Sequence, residues 1–139
     1  MLAGVKRGLC GLLALAVLAG CSSGDSEGDP PPAEGAPREV AEAIDRLERA
    51  TRRHDFAAIC DQLLAKEARD RAGGDDCIRL LRSTAGDVRS PDITVVSIRI
   101  DGERADVRVR TTAEGQAPVD ETIQLVREGD GYRIAALEG

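Results

Sequence analysis

The apolar residues of this chain change their spacing near residue 92, and this change limits the fold more than any other feature. Before it, apolar side chains recur every three or four positions, as in amphipathic helices, and after it they alternate with polar ones, as in half-buried strands. Helices followed by strands are typical of an α+β fold in which the helices cover one face of a sheet. We therefore predict three N-terminal helices packed on a four-stranded antiparallel meander.

Three apolar stripes define the predicted helices. The first helix spans residues 38–53, the second runs from Phe56 to about Ala68 with Asp55 as its cap, and the third is short and is closed by Gly86. Asp75 and Asp76 are expected to accept hydrogen bonds from the first amides of the third helix. The third helix is expected to turn four residues inward, namely Cys77, Ile78, Leu81 and Thr84. On the outer face of the first helix, each acid precedes an arginine by four positions, an arrangement that supports a helix, in the pairs Glu42–Arg46, Asp45–Arg49 and Glu48–Arg52.

Four alternating segments define the predicted strands, over residues 93–100, 104–111, 119–127 and 132–137. Asp101-Gly102 favours a two-residue hairpin turn between the first two strands, and residues 128–131 join the last two. The first turn would set three pairs opposite each other: Ile98 with Ala105, Val96 with Val107 and Thr94 with Val109. The second would set Leu125 opposite Ile134 and Ile123 opposite Ala136.

The N-terminal 20 residues have the layout of a secretory signal, with Lys6 and Arg7, an apolar run and small residues before Cys21. The run is shorter than the roughly 20 residues that a membrane-spanning helix needs. Leu18-Ala19-Gly20-Cys21 resembles the lipobox of bacterial lipoproteins. By that resemblance, Cys21 is diacylated, becomes the first mature residue and holds the protein on the extracytoplasmic face of the cell membrane. The alternative is an ordinary cleaved signal that happens to end before a cysteine.

Composition divides the remaining chain into a tether over residues 21–37 and an α+β domain over residues 38–139. The tether is rich in Gly, Ser, Pro and acidic residues and has almost no apolar side chain with which to form a core. The whole chain carries a formal charge of −6, and loss of Lys6 and Arg7 with the signal makes it more negative. Nucleic acid and anionic headgroups are therefore poor partners, and the acyl chains on Cys21 must provide the membrane attachment.

Cys60 and Cys77 lie on the inward stripes of neighbouring predicted helices. Outside the cytoplasm, such a pair favours a disulfide. A metal site that adds His54 is the alternative, but the chain has no C-x-x-C pair and no second histidine. We expect neither a metal nor a cofactor, and we expect His54 to be a solvated or capping residue.

Two further residues are candidates for a pocket. Asp61 leaves the apolar stripe, so it is either a surface residue or a residue at a pocket mouth. Tyr132 falls on the inward face of the last strand, where it either packs in the core with its hydroxyl at the rim or takes part in catalysis. The glycines match no phosphate-binding motif.

Two segments and one cysteine carry a resemblance to a known family. They are the stretch Ala50 to Leu64, with its run His54-Asp55-Phe56-Ala57-Ala58-Ile59-Cys60-Asp61-Gln62-Leu63-Leu64, then Cys77, and the ending Leu125-Val126-Arg127-Glu128 and Gly131-Tyr132-Arg133-Ile134-Ala135-Ala136-Leu137. On these residues the domain resembles small extracytoplasmic members of the nuclear transport factor 2-like superfamily. The resemblance implies a cone-shaped α+β fold. The acid and tyrosine that move the proton in the related ketosteroid isomerases have no matching positions here, so no catalytic residue is implied.

Three functions fit these features. The first is a non-enzymatic, lipid-anchored domain that binds another envelope protein or a small apolar ligand. The second is a small isomerase or hydrolase that uses a cone cavity with Asp61 or Tyr132. The third is a structural spacer at the cell surface. An apolar cavity into which two or more polar groups converge would separate them.

Overall fold

The computed structural model describes residues 34–138. The predicted signal, the lipobox with Cys21 and the tether up to residue 33 lie outside the described residues. Within residues 34–138, no helix is both long enough and apolar enough to cross a membrane. This part of the chain has helices first and a four-stranded antiparallel sheet after them, as the change of spacing predicts.

The first helix, α1, spans Ala36–Arg52. It begins two residues before the predicted start and includes Pro37, which suits a first helical turn because the amide that proline lacks has no partner there. Four apolar side chains of α1 are buried: Val40, Ala43, Ile44 and Ala50.

The outer face of α1 carries fewer of the predicted ion pairs than its spacing suggests. Glu48 pairs with Arg52 at 2.6 Å, as expected. Glu42 instead turns back to Arg38, at 2.8 Å, so the predicted pair of Glu42 with Arg46 is wrong. Either arginine lies one turn from the carboxylate, and both arrangements place the charges in solvent.

The predicted second helix is broken into parts. A short helix α2, Phe56–Ala58, continues as a π-helical turn, Ile59–Leu63, and a separate helix α3, Lys66–Arg71, follows. Leu64 and Ala65 are extended because this segment pairs with the last strand, where the Ala65 amide donates to the carbonyl of Ile134 at 2.8 Å. Tertiary pairing thus replaces helical hydrogen bonds at this point.

The Asp55 carboxylate accepts a hydrogen bond from the amide of Ala58 at 3.0 Å, which confirms the predicted cap. The last helix, α4, spans Cys77–Ala85 after a 3₁₀ turn, Gly74–Asp76. The predicted capping of α4 is wrong, because Asp76 makes no side-chain cap and pairs with Arg79 instead. Thr84 is exposed rather than inward.

The sheet is the predicted meander, with strand order β1-β2-β3-β4 and antiparallel neighbours. Its strands are β1, Asp92–Asp101; β2, Arg104–Thr112; β3, Val119–Glu128; and β4, Gly131–Glu138.

The first hairpin differs from its predicted register by two residues. Gly102 and Glu103 form the turn, with Gly102 at a φ of 58°, and Ile98 lies opposite Val107. A bulge between Val95 and Ser97 then reverses the alternation. As a result, Val96 is 57% exposed, and the predicted inward positions of Val96 and Thr94 are wrong. Ile93, Val95, Ile98 and Ile100 face the helices instead.

The second hairpin keeps the predicted pairing of Leu125 with Ile134. A register shift next to this pair then sets Ile123 opposite Leu137, so the predicted pairing of Ile123 with Ala136 is wrong. The shift therefore places the large side chain of Leu137 opposite Ile123, where the small side chain of Ala136 was predicted.

The core lies between α1 and the inner face of the sheet. The Cys60–Cys77 disulfide confirms the predicted pairing, with 6.1 Å between the two Cα atoms and 1% exposure of each residue. It ties α4 to the π-helical turn. The sheet contributes seven buried side chains to the core: Ala105, Val107, Val109, Ile123, Leu125, Tyr132 and Ile134.

Candidate functional site

An apolar cavity of about 350 Å³ lies at one end of the core. It is enclosed by the C-terminal half of α1, by α2 and the residue that follows it, by α4 and by the inner face of the sheet. The helical side of the cavity includes Leu47, Thr51, Phe56, Ile59, Leu81 and Ala85, and the extended residue Leu64 adjoins it. The sheet side includes Ile93, Thr111, Val119, Glu121, Ile123, Ile134 and Leu137.

The cavity stays apolar because the polar atoms of its helical wall are satisfied within the chain. The Thr51 hydroxyl donates to the carbonyl of Leu47, one turn back, at 2.8 Å. The sheet irregularities add apolar surface on the other side, since the two register shifts place Ile93 and Leu137 on the inner face. These two side chains come from the two edge strands of the sheet.

Large apolar side chains remain exposed where the cavity opens. Val119 on β3 is 50% exposed and Leu137 on β4 is 60% exposed, and the exposed Ala117 lies close by in the sequence. Single exposed apolar side chains are ordinary on a protein surface, but a group around an opening is typical of a binding site.

Glu121 is the main polar residue of the cavity, and the sequence analysis missed it. It lies opposite Val109, which is buried on the inner face, and it is half-buried at the opening. None of the ion pairs within residues 34–138 involves Glu121. The alternation of β3 carries the signal that would have found it, because Glu121 precedes the inward Ile123 by two positions.

Other polar groups stand around the same opening. Asp92 lines it and accepts a hydrogen bond from the Thr94 hydroxyl at 3.1 Å. The loop between β2 and β3 adds the amide side chain of Gln116. The cavity therefore combines an apolar interior with several polar groups near its mouth, which is the general form of a small-molecule site.

Two contacts between α1 and the chain around the start of β1 fix the rim. Glu48 accepts a hydrogen bond from the Ile93 amide at 2.9 Å, and Arg52 donates to the carbonyl of Pro91 at 3.0 Å. On the next turn of chain, the exposed His54 contacts the carbonyl of Val88 through Nε2 at 3.0 Å. Glu48, Arg52 and His54 thus hold the rim in place.

Asp61 and Tyr132 lie together, but in a different place. Both line a polar cleft of about 380 Å³ beside the N-terminal half of α1, together with Glu39. Asp61 pairs with Arg69 at 3.3 Å, and its side chain is half exposed. Neither Asp61 nor Tyr132 lines the apolar cavity.

Tyr132 is packed in the core, at 3% exposure, and the guanidinium of Arg127 lies 4.5 Å from its ring centroid. Arg127 also pairs with Glu39 at 2.8 Å. Its contact with the Tyr132 side chain, and then its pairing with Glu39, raise the pKa of Arg127 above its usual value. This cluster ties α1 to the second hairpin, and Arg127 stays charged in it.

The disulfide uses both of the thiols that the alternative metal site would have needed. Within residues 34–138, no three His, Cys, Asp or Glu side chains are grouped so that they could hold a metal ion. The described side chains that line the cavity therefore offer apolar contacts, with polar groups on one side.

Comparisons with protein-family models, with curated proteins and with solved structures found no match to this chain.

Proposed function

We propose that this chain is a bacterial lipoprotein whose folded domain binds a small apolar molecule in the cavity described above, on the extracytoplasmic side of the membrane. The lipobox supports the anchor and the compartment. The cavity carries the binding function, because its volume of about 350 Å³ falls within the range of roughly 300–1,000 Å³ that is usual for small-molecule sites.

The fold supports the same proposal. A helical layer over one face of an antiparallel meander agrees with the resemblance to the nuclear transport factor 2-like superfamily, and we propose that the domain is a cone-shaped member. In such a cone, a ligand lies between the helices and the sheet. The cavity lies between those same two layers.

Binding is favoured over catalysis by the chemistry of the lining. Within the described residues, the cavity is lined mainly by aliphatic side chains and one aromatic, Phe56, with Asp92 and Glu121 at its opening and neither a histidine nor a cysteine. Asp61 and Tyr132, the pair on which the enzyme hypothesis rests, line the separate polar cleft. A general acid or base must reach the reacting group within hydrogen-bond distance. A ligand held in the apolar cavity would meet neither of them.

The test is to fill the cavity and measure binding of a neutral probe. N-phenyl-1-naphthylamine fluoresces strongly in apolar surroundings, and we expect the domain to bind it. Ala85 lines the cavity at the end of α4, so Ala85→Phe should occupy part of the volume and weaken binding of the probe. Ala57→Phe is the matched control, because Ala57 is exposed on α2 and does not line the cavity.

We expect Ala57→Phe to bind the probe like the wild type and Ala85→Phe to bind it at least tenfold more weakly, with the same circular dichroism for all three proteins. Equal binding by both variants would place the probe elsewhere on the surface. Equal binding, or no binding by the wild type, would refute the cavity as a site and leave a protein partner or a spacer as the function.

A further inference from the structure

The charges around the cavity indicate which head group its ligand carries. Among residues 34–138, no lysine or arginine lines the cavity, and neither does His54. The two charged groups that do line it, Asp92 and Glu121, are both acidic.

Two arginines that adjoin cavity-lining residues in the sequence, Arg52 next to Thr51 and Arg110 next to Thr111, are already engaged. Arg52 donates both to Glu48, at 2.6 Å, and to the carbonyl of Pro91. On the outer face of the sheet, Arg110 forms two hydrogen bonds with the carboxylate of Asp120, at 2.8 and 2.9 Å. Neither arginine is directed to Glu121, and none of the ion pairs within residues 34–138 includes that residue.

Glu121 is placed to meet a ligand whose apolar part lies in the cavity. Its backbone is fixed by pairing with Val109 in the middle of the sheet, and its side chain is half-buried beside the aliphatic lining. A carboxylate in such a position loses part of its hydration, and a cation that approaches it makes a charge-assisted hydrogen bond. Among the residues that line the cavity, an anionic head group would instead meet two carboxylates and no cationic side chain.

We propose that the ligand is an amphipathic amine, whose aliphatic or aromatic body fills the cavity and whose ammonium group pairs with Glu121. This inference rests on the proposed binding function and adds the charge of the ligand. Asp92 strengthens the negative potential at the opening but shares its carboxylate with the Thr94 hydroxyl, so Glu121 is the pairing residue. The net charge of −6 attracts cations to the surface in the same sense.

The test compares three probes with the same ten-carbon chain: decylamine, 1-decanol and decanoate. For each probe we measure how well it displaces N-phenyl-1-naphthylamine from the domain at pH 7. The probe concentrations are kept below those at which the probes form micelles. The variants are Glu121→Gln and, as the matched control, Glu103→Gln. Glu103 is exposed in the turn of the first hairpin, at the other end of the sheet, and the two substitutions remove the same charge.

We expect the wild type and Glu103→Gln to bind decylamine more tightly than 1-decanol, and decanoate most weakly. Glu121→Gln should lower the affinity for decylamine about five- to tenfold. This loss lies between the effect of removing an exposed ion pair and that of removing a hydrogen bond to a buried charge. The affinity for 1-decanol should stay the same. Added salt should weaken decylamine binding to the wild type far more than to Glu121→Gln.

If all three probes bind equally well and Ala85→Phe weakens the binding of all three, the cavity is a binding site. Its affinity then does not depend on the charge of the ligand, and the inference is wrong. The same conclusion follows if Glu103→Gln changes decylamine binding as much as Glu121→Gln does. If no ten-carbon probe displaces the dye, the amine inference is wrong, while the dye result still decides the proposed function by itself.

Discussion

Removing the Cys60–Cys77 disulfide should both destabilise the domain and open the cavity. The bond joins residues 17 positions apart, and both are almost fully buried. On the chain-entropy relation, a closed loop of this length reduces the freedom of the unfolded chain enough to contribute about 3 kcal/mol at 25 °C. That contribution is a large share of the free energy of unfolding of a typical domain, which is roughly 5–15 kcal/mol.

The loss should be felt first in α4. Of the residues in α4, only Cys77 is fully buried, whereas Ile78, Leu81 and Ala85 are half-buried and Leu80 is exposed. Without the disulfide, the helix is held mainly by these partial contacts. Because Leu81 and Ala85 form a wall of the cavity, an α4 that opens locally would also release a bound probe.

The double variant Cys60→Ala/Cys77→Ala is compared with the oxidised domain by urea unfolding and by hydrogen exchange. We expect a fall of about 3 kcal/mol in unfolding free energy, exchange in residues 77–85 that rises more than in the sheet, and weaker binding of N-phenyl-1-naphthylamine. A fall below about 1 kcal/mol would contradict the loop-entropy argument. Unchanged protection of residues 77–85 would show that packing alone holds α4 in place.

Two further predictions concern the anchor and the outer face of the sheet. Metabolic labelling with an alkyne fatty acid should tag the wild-type protein but not Cys21→Ser, and a labelled Cys21→Ser protein would exclude that cysteine as the acylation site. Arg110→Gln should raise the pKa of Asp120, which the hydrogen bonds from Arg110 hold below its usual value, and NMR titration of the carboxyl carbon measures the change. Because the folded-state pKa of Asp120 is depressed, its pair with Arg110 stabilises the fold at pH values above the pKa of unfolded aspartate. This stabilisation is lost as the pH falls through the folded-state pKa. The stabilities of the variant and the wild type should therefore converge in acid.

The local patterns predicted the layers of the fold, and tertiary contacts decided what those patterns missed. Alternation located all four strands to within a residue or two, and the stripe of α1 located its buried face. The break at Leu64 could not be read from its neighbours, because it depends on pairing with Ile134, 70 positions away in the sequence. The bulge at Val96 likewise could not be predicted, because either of the two consecutive valines could face the helices. Packing against the helices turns Val95 inward and leaves Val96 outside.

The candidate site was only partly visible for the same reason. Asp61 drew attention because it follows a buried cysteine, but its partner Arg69 and its cleft are set by the way the broken second helix folds back. Glu121 was within reach of the pattern, since the strand alternation that turns Ile123 inward turns Glu121 inward too. Whether four strands and the helices α1, α2 and α4 leave a cavity between them depends on the volumes of the side chains that they all contribute.

The direction of α1 decides how the domain can be presented on a surface. The chain enters the described part at Glu34, beside the first turn of α1, whereas Leu47 and Thr51 of its later turns line the cavity. With 17 residues, the helix is about 25 Å long, so residue 34 and the cavity lie toward opposite ends of α1. A sensor chip or a label coupled at residue 34 is therefore held nearly the length of α1 away from the cavity.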